Sequence, residues 1–264
     1  MPDAPAQPSP SAHDNAPAWS DPELANPHLN ADKARKVREM FAAIADSYDL
    51  NNRVHSLGRD VAWRNFAVKF AQIKQGDRVL DCACGTGDLS QAFAAAPTSQ
   101  VIGLDFTAQM LDHARIKAAR LSKPHQDKLS YVEGDAMALP FPDQSFDVVS
   151  IAFGIRNVST PTKALSEFYR VLRPGGRLIV LEFDRPKPPM RWFHDLYVGW
   201  IMPRTATLIS GDRSGAYKYL PRSVGTFLTR GQMQAAISSA GFAQVTARAL
   251  TFGICVCHRG TKLA

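Results

Sequence analysis

The sequence predicts an α/β fold: a doubly wound, mostly parallel sheet of seven strands, closed at one edge by an antiparallel hairpin. Three observations carry this expectation. Between residues 78 and 183, short runs of strand formers alternate with segments of helical period, the pattern of crossover units. The first run, Arg78-Val79-Leu80-Asp81, leads through Cys82-Ala83-Cys84-Gly85-Thr86-Gly87-Asp88, a strand-to-helix turn built on small residues and two glycines. The second run ends in Asp105, 24 residues beyond Asp81. An acid at that strand tip lies beside the first turn and can accept hydrogen bonds from ribose hydroxyls.

A length of 264 residues fits one domain with a tail. Residues 1–32 hold many prolines and no hydrophobic period, so they read as a disordered tail, and residues 33–264 read as the domain. No stretch approaches the ~18 apolar residues that cross a bilayer, and the start resembles neither a secretory signal nor a presequence, so a cytoplasmic location is expected. The net charge is +7, but residues 1–32 carry five acids and no Lys or Arg. The remainder therefore has 31 basic and 19 acidic residues, a net of +12, which favours an anionic partner such as nucleic acid or a membrane surface. Four cysteines form two close pairs, Cys82/Cys84 and Cys255/Cys257, each placed on a strand. Structural zinc sites use wider spacing, so buried thiols and no metal are expected.

Taken in order, residues 33–45 place Val37, Met40, Phe41 and Ile44 at helical spacing, and the polar cluster Tyr48-Asp49-Leu50-Asn51-Asn52 is expected to break that helix. Residues 58–73 form a second helix, and Gly76-Asp77 punctuates before the first strand. Residues 100–104 are the second strand, and Thr107 caps a helix running to residue 121. Residues 128–132 are the third strand, followed by Asp135 and Ala136; Leu139-Pro140-Phe141-Pro142-Asp143 makes a rigid turn, and residues 145–153 are a buried fourth strand. Pro161 opens a helix to residue 172, the Pro174-Gly175-Gly176 turn stops it, and residues 177–183 are the fifth strand. A helix at 229–240 precedes the hairpin of 243–249 and 252–257. Residues 185–228 differ in character. Basic residues interleave with aromatics there, and Phe193, Leu196, Tyr197, Trp200 and Ile201 share one helical face, which reads as a core helix, a lid over an apolar substrate or a membrane-surface helix.

The glycine turn lacks the third glycine of dinucleotide-binding enzymes and the Gly-Lys-Ser/Thr of a P-loop. A ligand with adenosine but no pyrophosphate fits it better, and S-adenosylmethionine is such a ligand. Its methionine part then lies against Asp81, Gly85, Thr86 and Gly87, its ribose at Asp105, and its adenine near Asp135 and Ala136.

Three segments carry a family resemblance: Tyr48-Asp49 through Ser56 to Trp63, Phe153-Gly154-Ile155-Arg156-Asn157-Val158, and the run from Arg170 through Pro174-Gly175-Gly176 to Phe183. With Tyr217-Lys218-Tyr219-Leu220 and Ser223 as a fourth match, the chain resembles the ubiquinone/menaquinone biosynthesis C-methyltransferases from about Val37 to Gly260. The resemblance implies a Rossmann-like class I S-adenosylmethionine-dependent methyltransferase, with cofactor contacts at Thr86, Asp105, Asp135 and Ala136. Asn51, Asp60, Ala152 and Asp184 depart from the usual pattern, Asp60 and Ala152 standing where His and Ser are customary.

The resemblance further implies methylation of a ring carbon on a prenylated quinol, with demethylmenaquinol giving menaquinol as the first expectation and a benzoquinol as the second. The ring carbon becomes nucleophilic when a neighbouring phenol, of pKa about 10, loses its proton. Arg156 is expected to stabilise the phenolate, Asn157 to orient it, and Tyr48 to hydrogen-bond the ring oxygen. Residues 185–228 then serve as the entrance for a lipid tail, at the inner face of a membrane. The alternatives are an RNA methyltransferase, against which the Ala152-Phe153-Gly154-Ile155 strand end argues, and a non-catalytic scaffold of a quinone-biosynthesis complex; no nucleic-acid partner is expected.

Overall fold

The computed structural model describes residues 19–202, 204–205 and 216–264. Strands β1 (Arg78–Cys82), β2 (Gln100–Asp105), β4 (Phe146–Ala152) and β5 (Leu172–Phe183) are buried on both faces, which is why they read as unbroken apolar runs. With β3 (Leu129–Glu133), β6 (Ala243–Leu250) and β7 (Cys255–Thr261) they form one seven-stranded sheet in the order β3-β2-β1-β4-β5-β7-β6. The first five strands are parallel, and β7 runs antiparallel between β5 and β6. The chain winds outward from β1 through β2 to β3, then crosses back to β4 on the other side. Strand order therefore reverses between β1 and β4, and their carboxyl ends open a crevice of the kind that holds ligands in such sheets.

Alternate residues of each central strand feed two cores. On one face Leu80, Val149 and Val180 meet Phe168 of α7 (Pro161–Val171) and Ile237 of α10 (Arg230–Ser239). On the other, Val79, Val148 and Ile179 meet Trp63 of α3 (Arg59–Phe70) and Phe93 of α4 (Asp88–Ala94). Each such side chain contributes about 1.5–3 kcal/mol when fully buried. The remaining helices are α1 (Asp21–Leu24), α2 (Lys33–His55), α5 (Ala108–Ala118), α6 (Lys123–Gln126), α8 (Met190–Leu196) and α9 (Ala216–Thr226).

The structure corrects four expectations. Helix α2 runs unbroken through the 48–52 cluster, because its polar side chains find partners: Asn51 Nδ2 donates to Ser47 O, and Asp49 accepts from Thr86 and Lys117. Residues 19–32 are folded, not a tail. Trp19 is 2% exposed and stacks on Tyr219 with ring centroids 4.8 Å apart, Leu24 is buried, and His28 Nε2 lies 2.8 Å from Ser223 O; residues 1–18 lie outside the described residues. Leu196 and Trp200, expected on a single apolar stripe, are 60% and 59% exposed, so the core-helix reading fails for them; the side chains of Phe193 and Ile201 lie outside the described residues. Cys82 is on β1 but Cys84 is in the turn after it, and both of these thiols, like those of Cys255 and Cys257 on β7, are free.

Candidate active site

The turns leaving β1 and β4 meet at the switch point. Gly154 is required there by close approach, since a Cβ on it would sit 2.5 Å from Ala83 Cβ. Ala83 and Phe153 hold left-handed backbone, φ +49° and +56°, a strain typical of residues fixed by function. Gly87 opens α4 at φ +82°, and a Cβ there would meet the Tyr131 hydroxyl at 2.5 Å.

Two adjoining cavities share Tyr48, Ala83, Gly85 and Ala152. The larger, about 750 Å³ with its open mouth, runs from Asp105, Asp135 and Ala136 to Phe153 and Asn157, between apolar walls that include Phe41, Leu104 and Met110. The smaller, about 330 Å³, is polar and contains Asp81, Thr86, Asp88 and Arg64.

In the larger cavity, Asp105 accepts from Gly85 N at 2.8 Å and Thr107 N at 2.9 Å, one bond per carboxylate oxygen. Each oxygen keeps a lone pair for a ribose hydroxyl. Burial pushes this carboxyl up, and the backbone donors oppose the shift. Asp135 spends Oδ1 on Met137 N at 2.8 Å, and Ala136 leaves a flat slot beside it. In the smaller cavity, Asp81 is 1% exposed and accepts from Ser90 and Ser150 hydroxyls, both at 2.7 Å; burial raises its pKa to about 6. The Thr86 hydroxyl donates to Asp49 Oδ1 at 2.5 Å and accepts from Lys117 Nζ at 3.2 Å, which ties the glycine turn to α2 and α5. Of the seven residues assigned to the cofactor from sequence, Asp81, Gly85, Thr86, Asp105, Asp135 and Ala136 line the two cavities at the carboxyl ends of β1, β2 and β3, and Gly87 lines neither but opens α4; the adjoining polar and apolar spaces fit S-adenosylmethionine.

The three residues assigned to chemistry separate. Tyr48 and Asn157 line the larger cavity. Burial pushes the Tyr48 phenol up, while a hydrogen bond to Asn52 and the charges of Arg64 and Arg156 pull it the other way. Asn157 is held by Tyr219, whose hydroxyl donates to Oδ1 at 3.0 Å, and its own Nδ2 donates to Phe153 O at 3.3 Å. Arg156 does not line either cavity. Its Nη1 donates to Glu182 Oε1 at 2.7 Å and Phe153 O at 2.6 Å, in a pair only 6% and 4% exposed, and its charge sits over the Phe183 ring. Direct contact of Arg156 with a phenolate is thereby replaced by support of the strained Phe153 turn.

Sequence reasoning missed two residues. Lys33, 2% exposed, donates to Arg156 O at 2.8 Å and Val158 O at 2.7 Å, clamping the turn that carries Asn157; burial first, and then the Arg156 charge, lower its pKa to about 8. Nothing marks it in the sequence, because a lysine opening a helix reads as solvated. Arg64 carries no sequence signal either, since an arginine within a helical segment ordinarily faces solvent. Lys33→Met is expected to cost roughly 2 kcal/mol in urea unfolding, the penalty for orphaned carbonyls, with cofactor affinity unchanged by calorimetry because Lys33 touches neither cavity.

A seven-stranded switch-point sheet with a ribose-side acid, an adenine slot and no pyrophosphate turn defines a Rossmann-like S-adenosylmethionine-dependent methyltransferase. Solved structures agree on the fold: one such methyltransferase from Thermotoga maritima superposes with a TM-score of 0.60 at 21% identity, covering 86% of this chain and 99% of that one. The model of the ubiE/COQ5 methyltransferase family matches residues 29–262. The demethylmenaquinone methyltransferase of Deinococcus radiodurans is 46% identical over 235 residues, 88% of this chain and 94% of that protein. The Thermus thermophilus protein of the same name is 46% identical over 84% of this chain and all of its own length. A ubiquinone/menaquinone biosynthesis C-methyltransferase from Ectopseudomonas mendocina is 42% identical over 87% of this chain and 90% of its own. The chain belongs to the ubiE/COQ5 methyltransferase family and is an S-adenosylmethionine-dependent C-methyltransferase.

Proposed function

We propose that the protein methylates a ring carbon of a prenylated quinol, with demethylmenaquinol as the substrate and menaquinol as the product. The observation that carries this reading is the larger cavity, where apolar side chains, Phe41 and Val158 among them, stand with the polar pair Tyr48 and Asn157 beside the adenosine subsite. S-adenosylmethionine supplies an activated methyl, so the chain's own task is to hold the ring at near-attack distance and favour its phenolate. Asn157 Nδ2 and the Tyr48 hydroxyl are the donors that reach the ring oxygen. The guanidiniums that act on the Tyr48 phenol through space, Arg64 and Arg156, act in the same sense on a substrate phenol lying against it. Arg156 contributes from behind the wall. The test uses purified protein, labelled S-adenosylmethionine and a short-chain demethylmenaquinol, benzoquinol or RNA. Label in the naphthoquinol is expected; label in RNA, or cofactor binding with no transfer to any acceptor, overturns the reading.

The prenyl tail gives α8 and the turn after it, Tyr197–Ile201, a purpose. Trp192, Leu196 and Trp200 are exposed at four-residue spacing, and Arg204 stacks on Trp200 at 4.5 Å. Tyr197 reaches the end of α2, where its hydroxyl donates to His55 O at 3.2 Å, and Leu50, Val54 and Leu57 of that end are also exposed. Among the described residues no helix is long and apolar enough to cross a membrane. A cytoplasmic protein that rests this basic, aromatic face on an anionic bilayer accounts for both facts. Replacing Trp192, Leu196 and Trp200 with Ser is expected to abolish sedimentation with phosphatidylglycerol vesicles while cofactor affinity stays unchanged; undiminished sedimentation would remove the membrane contact.

A further inference from the structure

We infer that Arg64 binds the carboxylate of the cofactor's methionine part, a role that rests on that part occupying the smaller cavity. The amino-acid end of the cofactor is a zwitterion, so its pocket needs one acceptor and one donor of full charge. Asp81, buried at the floor of the cavity, is the acceptor for the ammonium. The donor is less obvious. Of the amides of the glycine turn, Cys84 N donates to Leu104 O, Gly85 N to Asp105, and Gly87 N to Cys84 O, which leaves the Thr86 amide, a neutral donor without the full charge the carboxylate calls for. The Thr86 hydroxyl is spent on Asp49. Among the residues lining the cavity, Arg64 is the cation.

Its geometry suits the task. Arg64 reaches the cavity from α3 with its side chain 10% exposed, and its guanidinium lies 5.8 Å from the centre of the Phe153 ring. Nη1 alone is engaged, donating to Asp60 Oδ2 at 2.7 Å and lying 3.6 Å from Asp88 Oδ2. Nη2 and Nε donate to no described residue, so one edge of the planar fork remains for a two-point contact with a carboxylate. Asp60 is itself fixed by Ser56 Oγ at 2.9 Å and Arg53 at 3.3 Å, so the guanidinium is held in place before the ligand arrives. This also gives the departure at Asp60 a function: a carboxylate there pins Arg64 by a charge-charge hydrogen bond, stronger than the one a neutral imidazole nitrogen accepts.

The competing account makes Arg64 a tie between α3 and α4 through Asp60 and Asp88, with no contact to ligand. Calorimetry on the full chain separates the two, using S-adenosylhomocysteine and its decarboxylated analogue, which keeps the adenosine, thioether and amine. Wild type is expected to bind the carboxylated ligand about 10- to 100-fold more tightly, the worth of a charge-assisted contact. Arg64→Met should bind both ligands alike, at the affinity wild type shows for the analogue. A variant that keeps the wild-type preference, or weakens both ligands by the same factor, overturns the inference. Arg64→Lys, which retains the charge without the fork, should show an intermediate preference and carries the test if the Met variant does not fold. Wild type that binds neither ligand would overturn the cofactor placement itself, and Arg64's role with it.

Discussion

Glu182→Gln is expected to destabilise the protein by about 3–5 kcal/mol, the cost of leaving a buried cation without its partner. The reason lies in the charge balance behind the cavity wall. Arg156 and Lys33 are both almost wholly buried and feel each other's charge, and Glu182, 3% exposed, is the carboxylate that faces the guanidinium. Without it two cations share one desolvated region. The Phe153 turn, held in left-handed backbone, then loses the support that reaches it through Arg156 Nη1. Removing both charges behaves differently. Arg156→Met with Glu182→Met replaces a buried ion pair by apolar volume, a change that is often neutral or stabilising, so the double variant should unfold at higher urea than either single variant. Cofactor affinity should survive in the double variant, because neither residue lines a cavity. Turnover then reports on the pair: a loss of kcat with little change in KM for the quinol supports action of the Arg156 charge on the phenolate through space, and wild-type kcat would reduce the pair to a purely structural part.

The pattern of what was legible follows from where the interactions lie along the chain. The strands β1, β2, β4 and β5 announce themselves because burial on both faces demands continuous apolar residues. The glycine turn, Asp105, Asp135 and Ala136 are legible because a parallel sheet puts successive strand ends along one edge, so spacing alone brings them together. What failed depends on contacts remote in sequence. The 48–52 cluster stays helical because Thr86 and Lys117 supply partners from other elements, which no local propensity contains. Residues 19–32 fold because a few side chains, Trp19, Leu24 and His28, each dock on α9, while Lys33 just after them clamps the Arg156 turn; isolated anchors leave no period to detect. Arg156 stands in a motif that implies chemistry, but Glu182 on the neighbouring strand takes its guanidinium.

Asp81→Asn is expected to raise stability and lower cofactor affinity at once, with opposite pH dependences that identify the cause. Burial lifts the Asp81 carboxyl from 3.8 to about 6, so the folded state holds a proton that the unfolded chain has released throughout that interval. Stability therefore falls as pH rises from about 4 to 6, and above 6 the buried charge costs on the order of 3 kcal/mol. Asparagine removes that cost and still bonds to Ser90 and Ser150, whose hydroxyls can rotate to accept as well as donate. The variant should accordingly be the more stable protein at pH 7 and no better than wild type at pH 4. Affinity runs the other way. A cationic amine needs the ionised carboxylate, so wild-type binding of S-adenosylhomocysteine should weaken up to about tenfold per pH unit below 6, whereas the variant should bind weakly at every pH. Urea unfolding at the two pH values and calorimetry between pH 5 and 7.5 measure both arms. A variant no more stable at pH 7, or one that binds the ligand as wild type does, would mean that the Asp81 charge is not kept buried for the cofactor. Such a result would leave the ammonium to another acceptor in the smaller cavity, where Asp88, already paired with Lys117, is the carboxylate that remains.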